Sequence, residues 1–163
     1  MDNKRNEQII WSDSFSVGIK LIDDQHQGLF DITNNLYSHV TGNEDEERAY
    51  FDEVINQALD YVKNHFVTEE KCMLATNFPD YHKHKKTHDE FTFTVLRSVN
   101  EFKSGKSIVL EKFAGFLKEW ILSHIAVMDK QYSLYFRKIA AIKRDGKLAP
   151  SLESVVNTYK PAV

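Results

Sequence analysis

The sequence is poor in the residues that form crosslinks and tight turns. Its 163 residues include only one cysteine, three prolines and six glycines. A lone cysteine cannot form an intrachain disulfide, so a disulfide-stapled fold is excluded and a reducing compartment, the cytoplasm, is expected. So few glycines and prolines also argue against a turn-rich all-β fold.

Long apolar runs and a strong net charge are missing as well. No stretch approaches the roughly 20 apolar residues of a membrane helix, and the opening segment MDNKRNEQII lacks the apolar core of a signal peptide. The formal net charge is only −3 at pH 7, so nothing indicates a nucleic-acid partner. We therefore expect a soluble cytoplasmic domain without membrane insertion, either a monomer or a weak homo-oligomer.

The sequence does show helical periodicity, in four separate runs. In each run apolar residues recur every three or four positions, which places them along one face of an α-helix. The runs cover about residues 22–40, 51–73, 81–102 and 107–142. They end at segments that contain helix-stop residues, namely Gly42, Pro79, Gly105 and Gly146. This pattern predicts an all-α protein, an up-down-up-down antiparallel four-helix bundle with short loops.

Two segments flank the predicted bundle, which we assign to residues 22–143. Residues 1–21 form an N-terminal arm, and the apolar alternation at residues 17–21 predicts an extended chain laid across the bundle. Residues 144–163 form a short C-terminal extension. Helical spacing after Ser151 predicts a short helix there, either docked on the bundle or used to contact a partner or a second copy.

The most informative feature is a set of polar residues at positions where the periodicity expects apolar ones. They are His26, His65, Glu69, His84, His88, His124 and Asp129. A buried unpaired carboxylate costs several kcal/mol, and a buried polar ring without a partner costs about 1–3 kcal/mol. One such histidine is usually a hydrogen-bonded core residue, but a set spread over four helices requires something to compensate it. Imidazole and carboxylate groups that converge in a bundle core form metal sites.

Spacing along the helices supports this metal-site hypothesis. His65 and Glu69 are four residues apart, as are His84 and His88, so each pair lies on one helix face. Five imidazoles and two carboxylates exceed the four ligands of a structural zinc ion. They suit two metal ions bridged by the carboxylates, and this mixture of ligands suits iron.

The fourth run contains a break in phase, within the segment WILSHIAVMDK. His124 and Asp129 are five residues apart, which on a regular α-helix separates their side chains by about 140°. A π-bulge between them would restore a common face, because one i→i+5 turn shifts the phase. The apolar residues further on follow Asp129 better than His124. We therefore predict a π-bulge within residues 124–129.

The chain resembles a known family, the bacterial hemerythrins, which are single-domain di-iron bundles that bind oxygen. The resemblance covers roughly residues 11–140. It lies in four stretches that contain the polar residues described above, namely WSDSFSVGIKLIDDQH, HFVTEE, FPDYHKHKKTH and HIAVMD. All ligand positions of the family pattern are filled, in the family's order, so the match is specific.

This resemblance implies an assignment of ligands to two iron ions. One ion would be held by His84, His88 and His124. The other would be held by His26 and His65, and would keep an open position for dioxygen. The bridges between the ions would be Glu69, Asp129 and an oxo or hydroxo group. An apolar pocket would cover the open position, and the matching residues are Trp120, Ile121 and Ile125, although Trp120 has the simpler interpretation of a core aromatic.

The ligand types favour oxygen binding over catalysis. Carboxylate-rich di-iron oxidases use Glu-x-x-His motifs, and none occurs in this sequence. We therefore expect reversible binding of dioxygen, for storage, delivery to an oxygen-consuming client or buffering. Two alternatives stay open. One is a di-iron oxidase, peroxidase or nitric-oxide-detoxifying protein, and the other is an oxygen or redox sensor that acts through a partner.

Three further residues with reactive side chains fall outside the ligand pattern. His39 and His82 do not follow the helical faces of the other histidines, and His82 is expected to lie in solvent. Cys72 lies seven residues after His65, on the same helix face. We interpret it as a small core residue, in preference to a redox thiol.

Overall fold

The computed structural model describes residues 8–107 and 109–157, and the regular elements in these ranges are all helices. The first and third helices of the bundle are uninterrupted, α1 (Lys20–Ser38) and α4 (Tyr81–Lys103). The second is one continuous helix with three segments, α2 (Glu44–Tyr61), the π-helical segment π1 (Val62–Phe66) and α3 (Val67–Ala75). The fourth helix is divided in the same way, into α5 (Leu110–Trp120), the π-helical segment π2 (Ile121–Met128) and α6 (Asp129–Lys138). The predicted all-α four-helix fold is confirmed.

Local sequence explains where the bundle helices begin and end. The side chain of Asn43 accepts hydrogen bonds from the backbone N–H groups of Asp45 and Glu46 and so caps the N-terminus of α2. The acidic residues in the first turn of α2 are favoured there by the helix dipole. Gly42 and Gly105 take positive φ angles, 81° and 80°, in the loops that follow α1 and α4.

The described residues before the first helix, 8–19, pack against the bundle. Val17 and Ile19 are each only 1% exposed. The carboxylate of Asp23 holds this segment by accepting hydrogen bonds from the N–H groups of Val17 and Gly18. Helix α1 begins at Lys20, so Leu21 is helical and 41% exposed. The predicted extended alternation was therefore wrong at its last residue.

The C-terminal extension docks on the bundle through a short apolar helix, α7 (Pro150–Asn157). The fourth bundle helix ends at Lys138 instead of continuing to about residue 142 as predicted, because Ala140 takes a positive φ of 56°. The chain then returns along the arm, where the N–H of Lys20 donates to the carbonyl of Gly146. Leu152 of α7 is 4% exposed and packs beside α3. Helix α7 thus packs against the bundle of its own chain.

The buried apolar residues form two separate clusters. The larger cluster contains most of the aromatic residues of the bundle, together with Trp120, Ile121 and Ile125. The smaller cluster joins the arm, α3, α6 and the extension, and includes Cys72, Tyr132 and Phe136. Within the part of the chain that the structure describes, no helix is both long enough and apolar enough to cross a membrane.

Candidate metal centre

All seven polar residues singled out by the periodicity lie together in the core of the bundle. Each is at most 2% exposed. They form two overlapping groups whose ligand atoms lie within 4.8 Å of one another. The three-histidine group contains Glu69, His84, His88 and His124. The two-histidine group contains His26, His65, Glu69 and Asp129.

The three-histidine group presents a nearly equilateral triangle of nitrogen atoms. The Nε2 atoms of His84 and His88 are 3.1 Å apart, those of His88 and His124 are 3.2 Å apart, and those of His124 and His84 are 3.1 Å apart. Imidazole nitrogens bind metals at about 2.1 Å, so adjacent nitrogens on one octahedral ion are about 3.0 Å apart. The triangle therefore has the dimensions of one face of an octahedral site.

The two-histidine group lies on the other side of the carboxylates. The rings of His26 and His65 meet edge to face, with centroids 4.6 Å apart. Nε2 of His26 lies 3.2 Å from Oδ2 of Asp129, and Nε2 of His65 lies 3.5 Å from Oε1 of Glu69. Two nitrogens and two carboxylate oxygens thus converge on this side.

Each carboxylate turns one oxygen toward each group. Oε2 of Glu69 lies 3.2 Å from Nε2 of His88, whereas Oε1 faces His65. Oδ1 of Asp129 lies 3.1 Å from Nε2 of His124, whereas Oδ2 faces His26. This is the orientation required of ligands that bridge two cations.

The protein itself leaves many of these atoms unsatisfied. The buried atoms without a hydrogen-bond partner among the described residues include His26 Nε2, His65 Nε2, Glu69 Oε2 and both carboxylate oxygens of Asp129. Each such group costs about 1–3 kcal/mol, and more when it is charged. Cations between the two groups would satisfy all of them at once. The residues present therefore fit a pair of metal ions.

The two π-helical segments place candidate ligands from the second and fourth helices. The predicted π-bulge is confirmed, although π2 is longer than expected and begins at Ile121. It brings both His124 and Asp129 into the core, whereas Val127 between them is 54% exposed. The segment π1, which contains His65, was not predicted.

Comparison with known proteins identifies the family of this arrangement. Residues 17–133 match the family model described as the Hemerythrin HHE cation binding domain. The chain belongs to the hemerythrin family. It is 30% identical over 125 residues to a bacteriohemerythrin of Stenotrophomonas maltophilia, covering 77% of this chain and 79% of that protein. It is 32% identical over 119 residues to a bacteriohemerythrin of Methylococcus capsulatus, covering 72% of this chain and 88% of the relative.

Solved structures agree with this family membership. A crystal structure of wild-type hemerythrin superimposes with a TM-score of 0.66 at 30% identity and covers 77% of this chain and 95% of its own. An L114A mutant of hemerythrin superimposes with a TM-score of 0.67 over the same share of both chains. Helix α7 lies beyond the residues matched by the family model.

Outer hydrogen bonds orient three of the histidines in this hemerythrin centre. The Nδ1 atom of His65 lies 3.1 Å from the amide oxygen of Gln25, and that of His88 lies 3.0 Å from the carboxylate of Glu70. The Nδ1 atom of His124 lies 3.1 Å from the hydroxyl of Thr87. Amide and carboxylate oxygens only accept hydrogen bonds, and Thr87 donates its own proton to the carbonyl of His84. In their neutral form these histidines therefore carry the proton on Nδ1 and present an Nε2 lone pair to a metal.

Sequence reasoning missed these outer partners. Gln25 and Glu70 are each adjacent in sequence to a predicted ligand, but adjacency alone does not place a side chain behind a histidine of another helix. Thr87 lies next to His88 in sequence but forms a hydrogen bond with His124, which is on a different helix. Their position beside candidate ligands could have indicated these partners. It would have done so only with knowledge of which helices pack together, and the fold supplies that knowledge.

Burial and neighbouring charges set the protonation of the metal-free cluster. Burial lowers the pKa of His65 to about 3 and also lowers the pKa of His124. Burial acts in the same direction on His88, but the adjacent carboxylates of Glu69 and Glu70 raise its pKa to about 9. Burial would raise the pKa of Glu69, yet the surrounding histidines hold it well below its usual value. The Glu69 carboxylate is thus ionised and attracts cations.

Aromatic rings surround the histidines. Trp120 stacks on His124 with ring centroids 3.9 Å apart and an interplanar angle of 13°. Phe66 stacks on His88 at 3.9 Å, and Tyr61 stacks on His65 at 4.5 Å. Neither Phe66 nor Tyr61 was singled out from the sequence. The rings fix the imidazole planes and keep the centre in an apolar environment.

The remaining histidines and the cysteine lie apart from the centre. His39 is exposed and stacks on Tyr50, with ring centroids 3.6 Å apart. His82 is exposed, as expected. Cys72 is fully buried, and burial raises the pKa of its thiol to about 12, so it keeps its proton at neutral pH. This environment is typical of a core residue.

Proposed function

We propose that this protein binds dioxygen reversibly at a non-haem di-iron centre, for storage, delivery to an oxygen-consuming client or buffering. The observation that carries the proposal is the buried pair of ligand groups that share Glu69, with Asp129 turning one carboxylate oxygen toward each of them. We assign one iron ion to His84, His88 and His124, and the other to His26 and His65. The iron pair, when bound, supplies the redox-active metal that dioxygen requires.

The unequal number of histidines supports dioxygen binding at only one of the two metal positions. Glu69 and Asp129 each turn one oxygen toward each group, so the two-histidine ion has one protein ligand fewer. It is therefore the ion with room for a small exogenous ligand. A symmetric ligand set would not distinguish the two ions in this way.

The surroundings of the centre favour binding over turnover. Trp120 is 9% exposed, and Ile121 and Ile125 are fully buried beside it in the larger apolar cluster. We assign these three residues to the oxygen pocket. An apolar pocket limits water entry and proton delivery, which slows the loss of a bound oxygen ligand. We therefore propose a binding protein and not an enzyme.

The visible spectrum of the iron-loaded protein through an anaerobic, aerobic and anaerobic cycle tests this function. We expect a coloured adduct that forms in air and disappears when oxygen is removed, with recovery of the ferrous protein. His82→Ala, which changes an exposed histidine, should behave as the wild type. A ferric product that only a reductant restores would contradict the proposal and favour an oxidase, a peroxidase or a redox sensor.

A further inference from the structure

Hydrogen bonding around the two shared carboxylates is unequal. The hydroxyl of Tyr132 donates a hydrogen bond to Oε1 of Glu69. Oε2 of Glu69 and both oxygens of Asp129 have no hydrogen-bond partner within residues 8–107 and 109–157. One carboxylate oxygen is therefore distinguished from the other three.

The oxygen that Tyr132 contacts belongs to the two-histidine side. Oε1 of Glu69 lies 3.5 Å from Nε2 of His65 and 3.8 Å from Nε2 of His26. The other oxygen, Oε2, faces His84 and His88. The hydrogen bond thus acts on one metal position and not on the other.

The fold holds Tyr132 firmly in this place. Its side chain is fully buried and is one of the largest such side chains in the protein. The ring packs against Phe136 at 5.2 Å and against His84 at 5.6 Å, measured between centroids. Tyr132 lies three residues after Asp129 in α6. Helix α6 directly follows π2, the segment that changes the helix phase.

We propose that Tyr132 is a positioning residue that makes the two metal positions unequal. Its hydrogen bond uses a lone pair of Oε1 and reduces the negative charge that this oxygen offers to a metal. The two-histidine ion is then bound less tightly and is favoured in its lower oxidation state, because a weaker anionic ligand stabilises the higher charge less. This inference rests on the ligand assignment of the proposed function.

The experiment compares Tyr132→Phe with Tyr135→Phe. Tyr135 lies in the same helix and donates to the carbonyl of Thr76 at 2.9 Å, without touching a ligand. Anaerobic release of ferrous iron to a chelator is followed in time, with a fast phase assigned to the two-histidine ion. The rate of oxidation by ferricyanide gives a second readout, which a purely structural role would not change selectively.

We expect Tyr132→Phe to slow the fast release phase by about tenfold, the effect of one hydrogen bond to a charged group, and to leave the slow phase unchanged. Its ferrous form should oxidise faster than the wild type, and Tyr135→Phe should match the wild type. A faster release would show that Tyr132 only orients Glu69 and would overturn the inference. Equal effects of the two substitutions would overturn it too.

Two further measurements keep the test decisive. Replacement of Tyr132 by 3-fluorotyrosine keeps the ring and strengthens the donor, so the fast phase should become faster, and an unchanged fast phase would contradict the inference. The iron content of the wild type is measured first. Fewer than two iron ions per chain would overturn the proposed function together with this inference, whereas two ions and an unaffected Tyr132→Phe variant would overturn the inference alone.

Discussion

The two halves of the metal centre use the same kinds of ligand but are supported differently. In the three-histidine group, His88 is backed by the carboxylate of Glu70 and stacks on Phe66. In the two-histidine group, His65 is backed only by the neutral amide of Gln25, and Nδ1 of His26 lacks a hydrogen-bond partner among the described residues. The charged hydrogen-bond partner thus lies on the three-histidine side. We therefore expect the three-histidine group to hold its ion more firmly than the two-histidine group.

Replacement of a ligand shared by both metal positions should prevent iron binding at both, whereas replacement of an unshared ligand should prevent it at one. We expect Glu69→Ala to lose both iron ions, because each group loses one carboxylate oxygen, with affinity reduced more than about 100-fold. His26→Ala should retain one ion, in the three-histidine group. Iron per chain after gel filtration, with His82→Ala as control, measures the difference. Retention of two ions by Glu69→Ala would refute the bridging assignment.

In the metal-free protein, the contributions of His65 and His88 to folding stability should depend on pH in opposite directions. His65 has a folded pKa near 3 against an ordinary 6.5, so below pH 6.5 the unfolded chain binds a proton that the folded chain does not. Stability should therefore fall as the pH drops below 6.5. His88 has a folded pKa near 9, so its contribution is complete below pH 6.5 and is lost as the pH rises toward 9.

The free energy of unfolding of the metal-free protein, measured by denaturant titration at several pH values, checks this prediction. We expect a maximum near pH 6.5. Glu70→Gln removes one of the carboxylates that hold the proton on His88, so its stability should fall less between pH 6.5 and 9. A stability that rises steadily from pH 6.5 to pH 9 in the wild type would be incompatible with a protonated His88.

The smallest effect should come from the outer hydrogen-bond partners. Glu70→Gln should weaken iron binding in the three-histidine group by about tenfold, because a charged partner makes His88 a stronger ligand. Gln25→Ala should weaken the two-histidine ion by less, since a neutral amide contributes less. Competition with a ferrous chelator measures both affinities. Equal losses in the two variants would contradict a difference in outer-shell support.

Much of the metal centre could be predicted from the sequence because its ligands interrupt a regular pattern. A polar residue on an apolar helix face is visible without a structure, and the five-residue gap between His124 and Asp129 revealed π2. The segment π1 left no comparable trace. Ala58, His65 and Glu69 keep a spacing compatible with a regular α-helix, so the spacing gave no sign of the wider π-helical turn.

The four helices, the candidate ligands and the family were predictable from the amino-acid sequence alone, because helical periodicity and local spacing depend only on the order of residues along the chain. Only the tertiary structure decided which oxygen of Glu69 faces which histidines, and that Tyr132 reaches one of them. It also decided that α7 docks on its own bundle. The physical reason is that such contacts join residues of different helices, and their geometry depends on how the helices rotate and pack against each other.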